Sequence, residues 1–455
     1  MKREICIVVC LTVVGCASAS AMKKLSAQQS PRPNGGVTEQ PNIILIMADD
    51  LGKECIGAYG CTEYKTPVLD RMAEEGIRFR NCFSQPICTP SRVQIMTGKY
   101  NHRNYAGFGL LPTSEKTFGN LLRDAGYKTC IAGKWQLGGD MNTPDHFGFD
   151  EYCLWFLYPP ENQPGGTHQG RRYWEPYRFW ENGKMKEVSK DAYGPDLVCD
   201  YLVNYIERQK ADEPFFIYFP MLLTHVPFDP TPDSPADAPR EFAQWKYKQD
   251  TYLKDMVETM DKSVGRIVQI LKKNGLAENT IILFVGDNGT DKVATTDTVD
   301  GPVKGGKGLM SDLGTHVPLI VRNPLAKLTT HVSDDLIDFS DFYPTLAELS
   351  GFPNIGKSQR DGGKVDGISF APQLFGKEGT PREWVFSNYW KNGRVREGQT
   401  DSARDHRYRL YSDGRMYDVI ADRWETRPLT DLSPEQAAAK KKLEAAIQQM
   451  RSGNN

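Results

Sequence analysis

Cys88-Thr89-Pro90-Ser91-Arg92-Val93-Gln94-Ile95-Met96-Thr97-Gly98-Lys99 is the stretch from which the rest of the chain can be read. Pro90 fixes its own φ and disfavours the helical region at Thr89, so a helix is expected to begin with Ser91 as its N-cap. Val93, Ile95 and Met96 supply the apolar residues of a short buried helix. Cys88 is then expected just ahead of a helix N-terminus, where unpaired N–H groups and the dipole favour an anion. Arg92, one turn further on, can reach back to the same spot. A cysteine before a helix is more often a small packed apolar residue than a nucleophile, and the local pattern leaves both readings open.

The flanking segments alternate apolar runs with helical spacing. Ile43 to Ala48 is a continuous apolar run suited to a central strand covered on both faces, and it ends in Asp49-Asp50-Leu51-Gly52. Two adjacent carboxylates at the end of a buried strand are costly unless a cation sits beside them, although Asp-Asp-x-Gly is also ordinary turn chemistry. Further strands are expected at 77–83, 127–133, 214–220, 281–285 and 317–321, with helices at 68–73, 114–125, 244–274 and 341–349. Residues 151–195 carry Trp155, Tyr158, Trp174, Tyr177 and Trp180 with Arg171-Arg172 and no clear period. That segment reads either as a lid with exposed aromatics for a sugar or as a packed excursion over the core. From about residue 380 the pattern changes to short strands at 384–387, 408–411 and 416–419, followed by a helix over 433–450. The expected fold is therefore α/β: a large mixed central sheet sandwiched by helices over 41–379, with a small α+β subdomain over 380–455.

The chain has 455 residues, 39% hydrophobic and 25% charged, which is ordinary globular composition. A formal net charge of −2 and the lack of a basic stretch disfavour a nucleic-acid partner. Lys2 and Arg3 followed by the apolar run Ile5 to Val14 read as an export signal over 1–21, too short to span a membrane. Val13-Val14-Gly15-Cys16 resembles a bacterial lipobox, which implies a lipid anchor on Cys16 and a periplasmic or membrane-anchored protein. Ala17-Ser18-Ala19 and Ala19-Ser20-Ala21 equally suit ordinary cleavage. Residues 22–40 read as a flexible tether. Cys55, Cys61, Cys82, Cys130, Cys153 and Cys199 have neither disulfide-scaffold nor metal-site spacing and are expected to be mostly buried free thiols.

The string Cys-x-Pro-Ser-Arg, four residues, then Thr-Gly-Lys resembles the signature of the type I sulfatases, of the alkaline phosphatase superfamily. Asp49-Asp50-x-Gly, Gly133-Lys134-Trp135-Gln136-Leu137-Gly138, Thr224-His225-x-Pro227 and Gly286-Asp287-Asn288-Gly289 are similar to further motifs of that family. The resemblance implies that Cys88 is oxidised to formylglycine by a maturation enzyme and that its hydrate attacks the sulfur of a sulfate ester. Asp49, Asp50, Asp287 and Asn288, with residue 88, would hold a divalent cation. Hard oxygen donors of this kind select Ca²⁺ or Mg²⁺ over zinc. The same resemblance makes Arg92 the group orienting the aldehyde hydrate, Lys134 and Lys307 the holders of sulfate charge, and His225 the general acid. Lys307 rather than Lys304 fits the interval to Pro318. His102 and Arg103, after the motif, are expected to line the same mouth as substrate contacts, as is Gln136.

Gln136 stands where the family carries a histidine, and an amide cannot take up a proton at neutral pH. Either another base serves, or this branch is slower or takes a different substrate. Export and the aromatic segment point to a sulfated carbohydrate. Two rivals remain at this level: a phosphodiesterase or phosphonate monoester hydrolase on the same scaffold, and a non-catalytic lipoprotein that binds sulfated glycans.

Overall fold

The computed structural model describes residues 40–155, 173–176, 179–238, 250–328, 331–352, 364–390 and 400–452. The export signal and most of the tether lie outside the described residues, as do Tyr158, Arg171, Arg172 and Tyr177.

Ten strands form the central sheet: β1 (Asn42–Ala48), β2 (Ile77–Phe83), β3 (Lys128–Lys134), β4 (Glu151–Trp155), β5 (Phe179–Glu181), β6 (Lys184–Met185), β7 (Phe215–Pro220), β8 (Thr280–Gly286), β11 (His316–Arg322) and β12 (Val332–Asp338). A separate hairpin pairs β9 (Thr295–Thr298) with β10 (Gly301–Lys304). The sheet order is β12-β2-β11-β8-β1-β7-β3-β4-β5-β6. β1 runs parallel to β7 and β8, and β3 parallel to β7 and β4, whereas β11 is antiparallel to β2 and β8. The sheet is thus mixed, as expected. β1 and β8 are wholly buried, which explains their unbroken apolar sequences: no residue of either faces water.

Helices cover both faces. Ile44 and Ile46 pack on one side with α4 (Gly194–Glu207) and α5 (Leu253–Lys273), while Ile43, Leu45 and Met47 pack on the other with α2 (Cys88–Thr97), α3 (Phe118–Asp124) and α6 (Phe342–Leu349). The helix α1 (Pro67–Glu75) lies N-terminal to α2. The final helix, α7 (Pro434–Ser452), packs Leu443, Ala446 and Ile447 against Phe386, Ala403 and Leu410 of the antiparallel sheet β13 (Val385–Tyr389), β14 (Thr400–Arg404), β15 (Tyr408–Tyr411) and β16 (Met416–Asp418). Residues 39–455 form one compact unit, so this small sheet is not separated from the main one.

Three local expectations are corrected. The helix α2 begins at Cys88 itself, with Ile87 as cap, and Ser91 lies inside it. Ser91 Oγ bonds the carbonyls of Ile87 and Gln85 and accepts from Gln85 N–H, so its hydroxyl secures the preceding loop rather than a helix end. Pro90 is tolerated because the first turn needs no N–H there, and burial overrides the bias of Thr89. α3 starts only at Phe118, where Thr117 and Asn120 form a capping box. The aromatics of the described part of 151–195 are not exposed: Trp155, Trp174 and Trp180 are buried, with Tyr173 and Tyr193 beside them. There the packed excursion is correct.

Candidate active site

Four strand ends converge at one edge of the sheet. Beyond β1, Asp49 N–H donates to the Leu223 carbonyl at 2.8 Å, and Asp49 carbonyl accepts from Thr224 N–H at 2.6 Å. This exchange ties the Asp49-Asp50 turn to the His225 loop that follows β7. Asp287, beyond β8, donates its N–H to Ala48 carbonyl at 2.9 Å, and its Oδ1 accepts from Asp50 N–H at 2.9 Å. Asp50 takes a left-handed backbone, φ 60°, which the short turn requires. Lys134 ends β3, where the preceding Gly133 has φ 131° and lies so close to β7 that a Cβ would sit 1.9 Å from Pro220 O. Glycine at that position is what lets Lys134 reach inward.

The side chains then pair one to one. Lys134 Nζ donates to both oxygens of Asp49 at 2.8 and 2.7 Å. Lys307 Nζ donates to Asp50 Oδ2 at 2.5 Å and lies 3.0 Å from His225 Nε2. Arg92 donates to Asp287 Oδ2 at 3.1 Å and to the Lys134 carbonyl at 3.0 Å, with Asp49 Oδ1 at 3.5 Å. Asn288 Nδ2 donates to Asp50 Oδ1 at 2.9 Å. Arg92 is therefore engaged with the carboxylates of Asp287 and Asp49. Lys304, by contrast, is exposed on β10.

Burial governs the electrostatics. It raises the Asp50 carboxyl, which Lys307 offsets only in part, and raises Asp287, with Asp49 adding to the effect and Arg92 opposing it. For Lys307 burial acts downward, but the Asp50 carboxylate beside it wins and raises the ammonium. The carboxylates are matched in number by cations, but their burial is not fully offset. Asn288 Oδ1, wholly buried, has no hydrogen-bond partner. An orphaned amide oxygen among under-compensated carboxylates fits a hard cation. Asp49, Asp50 and His225 also bring one donor atom each within 4.8 Å of one another, which sets the loop after β7 beside the carboxylates.

Cys88 opens α2 and is 2% exposed. Lys307, Arg92, Tyr105 and Tyr389 are all near enough for a negative charge at residue 88 to act on them. The two tyrosines escaped the sequence reading because no motif surrounds them; Tyr389 comes from β13, more than half the chain away. Gln136 is 8% exposed at φ 55°, and its Oε1 lacks a partner. Arg103 is committed to Asp366, donating from Nε to both oxygens at 3.0 and 2.9 Å. His102 packs between Tyr100 and Phe386 with both ring nitrogens buried and unpartnered, and burial lowers its pKa. These two residues brace the turn after α2, where Tyr100 N–H also bonds Asp366 at 3.0 Å. The cysteines of the described residues are free thiols, buried except for Cys61, which is half-buried.

A family model described as Sulfatase matches residues 41–352. Human N-acetylgalactosamine-6-sulfatase is 30% identical over 367 residues, which cover 74% of this chain and 66% of that protein. The N-acetylglucosamine-6-O-sulfatase of Bacteroides thetaiotaomicron is 26% identical over 461 residues, 80% of this chain and 76% of that one. The crystal structure of Ps i-CgsB in complex with k-i-k-neocarrahexaose superposes with a TM-score of 0.72 at 25% identity, covering 92% of this chain and 94% of that one. A match across the whole central sheet and both metal-type motifs settles the relationship: the chain belongs to the sulfatase family.

Proposed function

We propose that this protein hydrolyses sulfate esters of carbohydrates, using residue 88 as formylglycine and a divalent cation, Ca²⁺ or Mg²⁺. The observation that carries the reading is the charge balance around residue 88. Three carboxylates (Asp49, Asp50, Asp287) face three cations (Arg92, Lys134, Lys307), so the side chains alone are neutral. A divalent cation held by Asp49, Asp50, Asp287 and Asn288 turns the site positive, as an anionic ester and its more negative transition state require. That cation would also make the nucleophile more acidic and draw charge from the sulfate oxygens. As formylglycine, residue 88 supplies a hydrated aldehyde whose hydroxyl oxygen attacks sulfur while the ester oxygen departs.

The remaining work falls to the chain's own side chains. Lys134 and Lys307 bind sulfate oxygens as point charges, released from Asp49 and Asp50 to the extent that the cation takes over those carboxylates. His225 gives the departing alcohol its proton. In support, its Nδ1 lies 2.6 Å from the Val226 carbonyl, which holds one N–H there, so that the doubly protonated ring would carry on Nε2, toward the site, the proton it gives up. Arg92, held by Asp287 and the Lys134 carbonyl, orients residue 88 from below. The relatives named for 6-sulfated amino sugars support the carbohydrate class, as does the one solved with an oligosaccharide. The reading implies a formylglycine-generating enzyme as partner. It also fits an exported protein, lipid-anchored through Cys16 or cleaved as an ordinary signal, which the mass of the mature N-terminus would distinguish.

The test has two steps. Protein made alongside a maturation enzyme should give a residue-88 peptide about 18 Da lighter than the cysteine form, as loss of H₂S and gain of oxygen dictates. That protein is then assayed for sulfate release from 6-sulfated N-acetylgalactosamine, 6-sulfated N-acetylglucosamine and sulfated galactans, and against phosphate diesters and phosphonate monoesters. Release from at least one sugar is expected. Fully modified protein that releases no sulfate, or that cleaves the phosphorus esters faster, would sink the reading.

A further inference from the structure

Lys307 leads directly into a cleft. Gly308 N–H bonds the Pro86 carbonyl at 2.7 Å and Leu309 N–H bonds Gly306 carbonyl at 2.8 Å, and the chain then turns along the small antiparallel sheet. Between Leu309–Ser311 and that sheet lies a cleft of about 560 Å³, lined among others by Tyr389, Trp390, Tyr411, Trp424 and Arg415. Its size is that of a small-ligand site. Leu309, two residues after Lys307, lines the cleft, and so does Tyr389, which is near enough to Cys88 and Lys307 for their charges to act on it.

The lining has a definite chemistry. Trp424 is 40% exposed and Leu309 39%, unusual for large apolar side chains. The charged groups are already matched: Arg415 pairs with Asp413 while its guanidinium lies 5.0 Å above the Tyr411 ring. Glu425 pairs with Arg409 at 3.0 Å and accepts from the Tyr411 hydroxyl. Two buried polar atoms of the lining have no hydrogen-bond partner, Glu425 Oε1, which only faces Arg409 as an ion pair, and a hydroxyl. The hydroxyl is Ser311 Oγ, in a residue 7% exposed. Aromatic faces, internally paired charges, and a spare hydroxyl and carboxylate oxygen suit an uncharged, hydroxyl-rich ring that stacks, and do not suit a second sulfate.

We propose that this cleft is a sugar subsite: it holds an unsulfated ring linked to the sulfated sugar whose ester lies at residue 88. The inference rests on the sulfatase reading for its direction, since only a saccharide anchored at residue 88 would extend along the Leu309 strand of chain. It makes this protein an enzyme of oligosaccharides rather than of single sugars.

Each sugar of the assay panel is compared as a free monosaccharide and as the terminal residue of a tetrasaccharide, with wild type and Trp424→Ala. Trp424 lies on an exposed turn outside the cluster at residue 88. At least one tetrasaccharide should be preferred at least about tenfold in kcat/KM, a difference of about 1.4 kcal/mol, and Trp424→Ala should erase that preference while leaving the monosaccharide rate unchanged. Equal use of both lengths by wild type, or a preference that survives in the variant, would overturn the subsite. A separate measurement stands apart from turnover: titration with the desulfated tetrasaccharides, followed by tryptophan fluorescence. Binding that is lost in Trp424→Ala upholds the cleft even if no sulfate is released, in which case the sulfatase reading alone fails. No binding of any of them, by protein that does release sulfate from monosaccharides, removes the cleft and leaves the sulfatase reading intact.

Discussion

Gln136 is where this chain departs from the motif its sequence resembles, and the glutamine has a physical cost. Its Oε1 is buried without a partner, and its backbone is left-handed at φ 55°. Histidine tolerates that backbone better than most side chains do, so Gln136→His is sterically open. If sulfate leaves residue 88 only after a proton is removed, the imidazole supplies the missing base. The variant should then raise kcat on the best substrate by about tenfold or more and add an inflection near pH 6.5 to its kcat profile. An unchanged profile would show that another group already does this work. Asn288 offers the matching test for the cation. A ligand bound only by the folded state raises the unfolding temperature, so EDTA should lower it and Ca²⁺ restore it. Asn288→Ala, lacking the orphaned oxygen, should need roughly ten- to a hundredfold more Ca²⁺ for the same shift in a calorimetric titration.

Elements were legible in proportion to how simply they are buried. β1 and β8, apolar after their first residues Asn42 and Thr280 and covered on both faces, could be read directly, and with them the positions of Asp49 and Asp287 at their ends. β12 and β14 could not. Val332–Asp338 carries acidic residues at an edge where its first half is only partly covered, and Thr400–Arg404 is polar yet buried because Arg404 meets Asp312 at 2.9 and 3.0 Å. Partners that distant in sequence leave no periodic trace. The same holds for α2, where contacts from the loop at Gln85 decided the cap against local preference. At this scale Gly133 is the sharpest point. Gly133→Ala sets a Cβ against Pro220 O and pushes β3 from β7, carrying Lys134 off Asp49. The expected result is loss of sulfate release together with a lower denaturant midpoint, by several kcal/mol if the protein folds at all. A second element gives a pH test. Asp261 of α5 accepts from Val68 and Leu69 N–H at the start of α1, yet burial pushes its pKa up to about 6. A carboxyl raised above its unfolded value binds its proton more tightly when folded. Its contribution to stability is therefore complete below about pH 4 and is lost as pH rises through 6. Denaturant midpoints measured from pH 4 to pH 7 should fall less steeply for Asp261→Asn than for the natural protein.

At the scale of the molecule, the small sheet and the large one are joined by buried charge rather than by a linker. Arg382, just before β13, donates to both oxygens of Asp341 at 2.8 and 2.7 Å, to Ser340 Oγ and Asp366 carbonyl at 3.1 Å each, and to the Tyr100 hydroxyl at 3.1 Å. Asp312, a few residues after Lys307, is gripped by Arg404 and by Arg409, the latter at 2.6 Å. Burial acts to raise the Asp312 carboxyl, but these two guanidinium groups and His316 hold it well below the usual carboxylate range. The two fastenings flank the site: one ends at the Asp366–Arg103 turn after α2, the other at the loop that carries Lys307. A chain so joined should not unfold in parts. Three of the eight tryptophans, Trp384, Trp390 and Trp424, belong to the small sheet's region, so tryptophan fluorescence reports both regions, and it should follow one transition coincident with far-ultraviolet circular dichroism in denaturant. Arg382→Ala leaves Asp341 buried and uncompensated, at a cost of about 3–5 kcal/mol, and should shift that transition as a whole. Were the small sheet an independent module, the variant would instead split the curve, with part of the fluorescence change moving ahead of the dichroism, and a chain ending at residue 379 would fold unaided. Neither is expected, because that shortened chain would bare the faces of Phe83 and Leu336 now covered by Val385. The cleft beside Leu309 exists only while both sheets are in place, so the substrate length the enzyme accepts should be lost with the same transition.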